Sequence, residues 1–344
     1  ALCEHGARIA GRNDRLTTKF ARLFDLAREA AHINRYQDPA NSHTTETHVR
    51  RAIDRTRERA GNPSKRFRQS IAEGTIRIET KGRRVGQVNG MAVMSAGPLT
   101  FGFPARITAS VGPGMGGVVD IERESSLSGR IHTKGFHILG GLLRHLFQTN
   151  HPLAFNASLA FEQSYGGVDG DSASGAETCC LLSALTGIPL RQDLAMTGAI
   201  DQFGNIQPIG GTSEKIEGFY AACVDAGLTG TQGVIVPSAN VRNLVLRPEV
   251  ARACAEGQFH IYAVDHVTEA LEIFTDMPAG ERQLDGSYGE GTLLGLAMDR
   301  LHEYWFKSRG VPYVAEREVS EEREKRSTAA RPQEEFGAGL DGEE

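Results

Sequence analysis

The feature that narrows this chain most is a glycine-rich joint between two periodicities. Ala157–Phe161 reads as an extended run, whereas Ser172 to Thr186–Gly187 reads as helix, with Ala176, Cys180 and Ala184 four apart. Gly166, Gly167 and Gly170 lie between them and let the backbone turn tightly and enter positive φ. Asp171 or Ser172 can cap the new helix. A hydroxyl there stands at the positive end of the helix dipole, beside backbone N–H groups without helical partners. Those are the parts of a nucleophile with an oxyanion hole. They are equally the parts of an ordinary strand–turn–helix joint.

After the joint, short strands alternate with helices: Leu194–Gly198, Ile206–Pro208, a helix opening at Gly210–Gly211 and running to Ala226, Gly233–Val236, Phe259–Val264 and a helix over Val267–Phe274. This argues for α/β layers. Ahead of the joint, Thr75–Thr80 and Val85–Val93 predict a hairpin turning at Lys81–Gly82. Ala105–Val111 and Gly117–Glu122 predict two further strands, and Lys134–Thr149 a helix. Residues 1–60 read as all-helical, with Phe20, Leu23, Phe24, Ala27 and Ala31 as one apolar stripe. Three units follow: a small helical subdomain over 1–70, the α/β unit over 71–280, and 281–344 as a helix near Leu293–Phe306 followed by a charged, disordered tail from Glu316.

The net charge of −5 over 344 residues names no partner. Arg50 to Arg84 is rich in arginine and lysine, but Asp54 and Glu58 interleave and Phe67 is the one aromatic there. A solvated face or subunit contact is favoured over nucleic-acid binding, which stays the weaker reading. The five cysteines include no CxxC, so neither a disulfide framework nor a zinc site is expected, and no metal is assigned. This usage fits a reducing cytoplasmic setting. No apolar run approaches the ~18 residues of a membrane span, and no secretory signal is present. The chain opens at Ala1 without methionine, which reads as a piece of a longer protein.

No phosphate loop of the GxxxxGK[ST] type, no HExxH and no GxSxG occurs. Gly112–Gly117 is glycine-rich but connects two strands and reads as a turn. A serine–histidine arrangement at Ser172 would have to draw on His132, His137, His145, His151, His260 or His266, and no local sequence singles one out. Lys215 is a better partner. In the first turn of a helix a cation is disfavoured, and partial burial disfavours it further, so its pKa falls toward that of a general base. The alternative is a surface lysine paired with Glu214 or Glu217.

Several segments together carry a family resemblance. Phe161–Ser174, reading FEQSYGGVDGDSAS, resembles the nucleophile segment of the Lon proteases, most closely the LonB-like branch whose motif reads (E/D)GDSAS. Thr197–Ile200, Gly204–Gly211 and Glu214–Glu217 resemble that family's TG…Gx(V/I)xP(V/I)GG…EK(I/L) segment, at the family's interval from serine to lysine. Gly233–Pro237 followed by Asn240 is similar to its next strand and loop. The resemblance implies the Lon proteolytic fold, which is like a ribosomal-protein domain, and a serine endopeptidase with a Ser172–Lys215 dyad. It implies that Thr197 orients the lysine and that the Ser172 and Asp169–Gly170 backbone holds the oxyanion. It implies further that Asp169 can pair with Lys215 and keep the site latent. Residues 1–60 resemble the small helical subdomain of AAA+ proteins, with Lys19 where a sensor arginine would lie. The ATPase core is absent from this sequence, so no cofactor is assigned to it: either ATP with magnesium belongs to an upstream module, or this branch works without ATP hydrolysis. The implied substrates are unfolded or damaged proteins, and the implied assembly is a homohexamer. The alternative is an inert scaffold or chaperone-like binding module on the same fold.

Overall fold

The computed structural model describes residues 1–97 and 99–311, so the tail expected from Glu316 lies outside the described residues. A seven-stranded mixed sheet forms the centre. Its order is His260–Val264, Gly233–Pro237, Leu194–Met196, Gln87–Ala96, Leu99–Pro113, Phe155–Phe161 and Gly117–Asp120. The first four run parallel, Leu99–Pro113 is antiparallel to both of its neighbours, and Gly117–Asp120 runs parallel to Phe155–Phe161.

Both faces of the sheet are covered, and the strands show why their residues alternate. Met196, Ile235 and Val264 point into one core with Leu181, Leu182 and Leu185 of the helix Ser174–Thr186. Ala195, Val234 and Val236 point the other way, onto Ile216, Phe219 and Cys223 of the helix Thr212–Ala226. Side chains two apart on a strand share a face, so each short apolar strand feeds two cores. Cys179, Cys180 and Cys223 are buried within these layers, and all five cysteines are free thiols.

Two expectations are corrected. The hairpin turns at Gly97, with Gln87–Ala96 paired to Leu99–Pro113 along ten residue pairs. Thr75–Thr80 is not a strand: its backbone is tied by Gln163, whose side chain accepts from Arg77 N–H and donates to the Thr75 carbonyl. An alternating pattern registers exposure on two sides and is silent about which groups satisfy the backbone. In the N-terminal helices, Phe20 and Phe24 are exposed, and Leu26, Ala30 and Ile33 pack instead against Val49 and Ala52 of the helix Glu46–Ala60. Ile53 of the same helix and Leu2 pack against this cluster as well.

Part of the basic stretch is paired within the chain. Arg50 pairs with Glu4 and Glu46, Arg59 with Glu29, Arg68 with Asp225, and Arg84 with Glu79. Among the described residues no helix is long and apolar enough to cross a membrane.

Candidate active site

The loop after Phe155–Phe161 is closed on itself before the next helix begins. Gly170 sits at φ +96°, a conformation that suits glycine. The Asp171 carbonyl accepts from the Ser174 N–H at 3.0 Å and from the Ser174 hydroxyl at 2.8 Å, so the helix starts at Ser174, two residues after Ser172. The Ser174 hydroxyl accepts in turn from the Ile200 N–H at 3.0 Å. The segment Thr197–Gly198 is laced to the same turn. Its Gly198 N–H donates to the Ser172 carbonyl at 2.8 Å, and its Gly198 carbonyl accepts from Gly175 N–H at 3.0 Å. Ser172 is thereby held in place by its backbone while its side chain stays at the half-buried surface of the loop.

Lys215 arrives from the opposite face of the sheet. The helix Thr212–Ala226 lies so close to Leu99–Pro113 that a Cβ on Gly102 would overlap the Glu214 carbonyl and Lys215 Cα, and one on Gly218 would overlap the Gly102 carbonyl. Two bare backbones in contact bring the lysine stem against the sheet and leave it 2 % exposed. Asn240 holds the entry to this helix. Its side-chain amide accepts from the Ile209 N–H and donates to the Ile209 carbonyl, both at 2.9 Å. Lys215 Nζ ends 2.8 Å from Ser172 Oγ and 2.9 Å from Thr197 Oγ1. The Thr197 hydroxyl donates its one proton to the Ser172 carbonyl at 3.1 Å, so toward Lys215 it can only accept.

Burial pulls the Lys215 ammonium from its ordinary 10.5 down to about 8, with the Asp171 carboxylate acting in the opposite sense. Desolvation is the leading cause of the shift. A lysine at about 8 is available as an uncharged amine near neutral pH. The surface alternative for Lys215 is not what the structure holds. Glu217 is occupied by Arg8 at 2.5 and 2.6 Å and lies 2.9 Å from Arg247, while Glu214 faces Arg8 at 3.4 Å.

Asp169 stands apart from Lys215. Its carboxylate accepts from Gly170 N–H at 2.9 Å and from Ile131 N–H at 3.2 Å, contacts that hold its pKa below the usual carboxylate range. The Gly170 N–H is therefore engaged in this arrangement, while the Ser172 N–H meets no acceptor among the described residues. None of the candidate histidines is bonded to Ser172. His260 bonds the Gly230 carbonyl, His266 the Phe203 carbonyl, His151 stacks on Trp305, His145 meets Phe203 edge-on, His137 is exposed and His132 is buried among carboxylates. Asp171, the carboxylate that acts on Lys215, stands in the sequence reading only as a possible helix cap. Its adjacency to Ser172 was the available signal.

Ser172 and Lys215 open onto a cleft of about 230 Å³, walled by Met91, Val93, Phe103, Pro104 and Val168. Residues 164–275, which include all of Ser172, Thr197 and Lys215, match the family of Lon protease (S16) C-terminal proteolytic domains, and residues 1–59 match the archaeal LonB AAA+ ATPase LID domain. The chain carries a Lon-type proteolytic domain and a LonB-type lid. It is 46% identical over 245 residues to a putative Lon protease homolog of Escherichia coli K12, covering 71% of this chain and 41% of that protein. It is 32% identical over 196 residues to the archaeal Lon protease of Thermococcus kodakarensis, covering 57% of this chain and 28% of that one. The chain thus spans about two fifths or less of these two Lon relatives. Its Lon-type proteolytic domain and its lid-type helices meet at Arg8, on the helix Leu2–Ala10, which reaches Glu217 two residues past Lys215.

Proposed function

We propose that this chain is the proteolytic part of a serine endopeptidase that works with a Ser172–Lys215 dyad. The observation that carries the reading is the Lys215 amine, buried without a carboxylate partner in hydrogen-bond contact and 2.8 Å from Ser172 Oγ. In the uncharged amine, one N–H donates to Thr197 Oγ1 and the lone pair accepts the Ser172 hydroxyl proton. Ser172 Oγ then attacks the scissile carbonyl carbon. The Ser172 N–H stands ready for the resulting oxyanion, and the Gly170 N–H joins it once the Asp169 carboxylate lets go. The lysine passes its proton to the departing amine. Water, deprotonated by the same lysine, hydrolyses the acyl-enzyme and restores the serine.

The apolar walls of the cleft favour extended segments with exposed hydrophobic side chains, which unfolded or damaged proteins present and folded ones bury. Assembly into a homohexamer with its dyads facing an inner chamber belongs to this reading. So does ATP coupling through sequence other than residues 1–344. A scaffold that merely kept the fold would have no use for a buried lysine held at a cost in stability.

Cleavage of an unfolded substrate such as casein tests the proposal. Ser172→Ala and Lys215→Ala should each abolish it while circular dichroism and sedimentation stay unchanged. Cleavage by either variant at the unmutated rate would refute the dyad.

A further inference from the structure

Behind the joint, on the side away from Lys215, four ionisable side chains meet out of reach of solvent. Asp120 ends the strand Gly117–Asp120 and Glu122 lies in the turn of helix after it. His132 comes from the helix Arg130–Leu146, and Glu177 from the helix Ser174–Thr186. None is more than 4 % exposed. His132 Nε2 lies 3.5 Å from Asp120 Oδ2 and 3.7 Å from Glu177 Oε1. Asp120 Oδ2, His132 Nε2 and Glu177 Oε2 are buried without any hydrogen-bond partner. Buried polar atoms are ordinarily satisfied, and three orphans in one spot point to something they share.

The other oxygens are not free. Asp120 Oδ1 accepts from the Glu122 N–H at 3.1 Å, and Glu122 Oε1 accepts from the Phe161 N–H at 2.8 Å. These bonds fix the carboxylates, and Asp120 is left with its unpaired oxygen on the imidazole. The gaps are too long for good hydrogen bonds and match the edges of a coordination shell: bonds of about 2.1 Å in a tetrahedral site put ligand atoms about 3.4 Å apart. One ligand atom each from Asp120, Glu122 and His132 fall within 4.8 Å of one another. Glu177 lies outside that group and flanks His132.

We infer that Asp120, Glu122 and His132 bind a divalent first-row transition metal of the zinc or manganese class, with Glu177 beside His132. One nitrogen among carboxylate oxygens suits these ions, whereas magnesium and calcium favour oxygen alone. The ion would be structural. It ties the end of the strand Gly117–Asp120 to the helix Arg130–Leu146, next to Ile131, whose N–H holds Asp169. This inference stands apart from the peptidase reading, because metal content is measured without any substrate.

The test uses the chain purified from medium supplemented with Zn²⁺ or Mn²⁺, gel-filtered and assayed for metal by mass spectrometry. Wild type should carry about one equivalent of Zn²⁺ or Mn²⁺ per chain. His132→Gln and Glu122→Gln, shown to be folded by circular dichroism, should carry less than about a tenth of that, since each lost ligand lowers affinity at least as much as a lost supporting contact does. Chain from Co²⁺ medium should show the visible absorption of a four- or five-coordinate ion, which keeps the test decisive should the variants fail to fold. Wild type without a transition metal under all three supplements would overturn the inference. So would an unchanged metal content in both folded variants.

Discussion

Replacing Lys215 by methionine removes the charge and keeps most of the stem in place. A lysine that titrates at about 8 in the folded chain and at 10.5 when unfolded makes stability rise with pH across that window, because the unfolded state binds the extra proton. Below pH 8 the full penalty of about 3.4 kcal/mol is present, and above 10.5 it is gone. Lys215→Met escapes the penalty but leaves Thr197 Oγ1 without its donor, a loss of roughly 1 kcal/mol. At pH 6.5 the variant should therefore be more stable than wild type by about 2 kcal/mol. At pH 9.5 the wild-type penalty has fallen to about 1.4 kcal/mol, so the advantage shrinks by about 2 kcal/mol. Urea unfolding at the two pH values, followed through the single tryptophan, reads the difference, and other groups cancel between the two proteins. Equal stability differences at pH 6.5 and 9.5 would refute the reasoning, as would an advantage that grows with pH.

Three other outcomes follow from the contacts. Thr197→Val removes the acceptor that aims the amine and a donor to the Ser172 carbonyl, so kcat should fall roughly 10- to 100-fold with little change in KM, while Thr197→Ser keeps most of the rate. Asp171→Asn should lower the pH midpoint of the peptidase rate, because the Asp171 carboxylate favours the charged lysine. Asp169→Asn should leave that midpoint in place, because Asp169 is engaged by Gly170 and Ile131 instead; a midpoint that moves only in Asp169→Asn would contradict the observed pairing. Arg8→Ala removes one of the two guanidinium partners of the buried Glu217 carboxylate, leaving Arg247, and should cost about 1.5–3 kcal/mol, seen as a lower thermal midpoint and faster proteolytic cleavage between the lid-type helices and the proteolytic domain.

What could be read from the chain follows a physical line. The tight turn at Gly170, the two-sided apolar strands and the helix Thr212–Ala226 are local matters, and local sequence expresses them. The meeting of Ser172 and Lys215 is not local. It depends on Gly102 and Gly218 letting a helix backbone touch a strand, and neither glycine announces a partner more than a hundred residues away. The family resemblance, rather than the spacing, pointed to that pair. The same limit explains Phe20 and Phe24: a periodic stripe shows that a helix has an apolar side, but the elements that pack on it decide which residues are buried. The Asp120, Glu122, His132 and Glu177 cluster was invisible for a similar reason, since four elements converge on it without a compact motif.

The account rests on an amine that sheds its proton near neutral pH. Labelling the lysines with ¹⁵N and ¹³C and following the Lys215 Nζ and Cε resonances, assigned by their loss in Lys215→Met, titrates that group directly. A midpoint near 8 is the result expected. A midpoint at the ordinary 10.5 would mean a lysine that stays charged beside Ser172 and cannot take its proton.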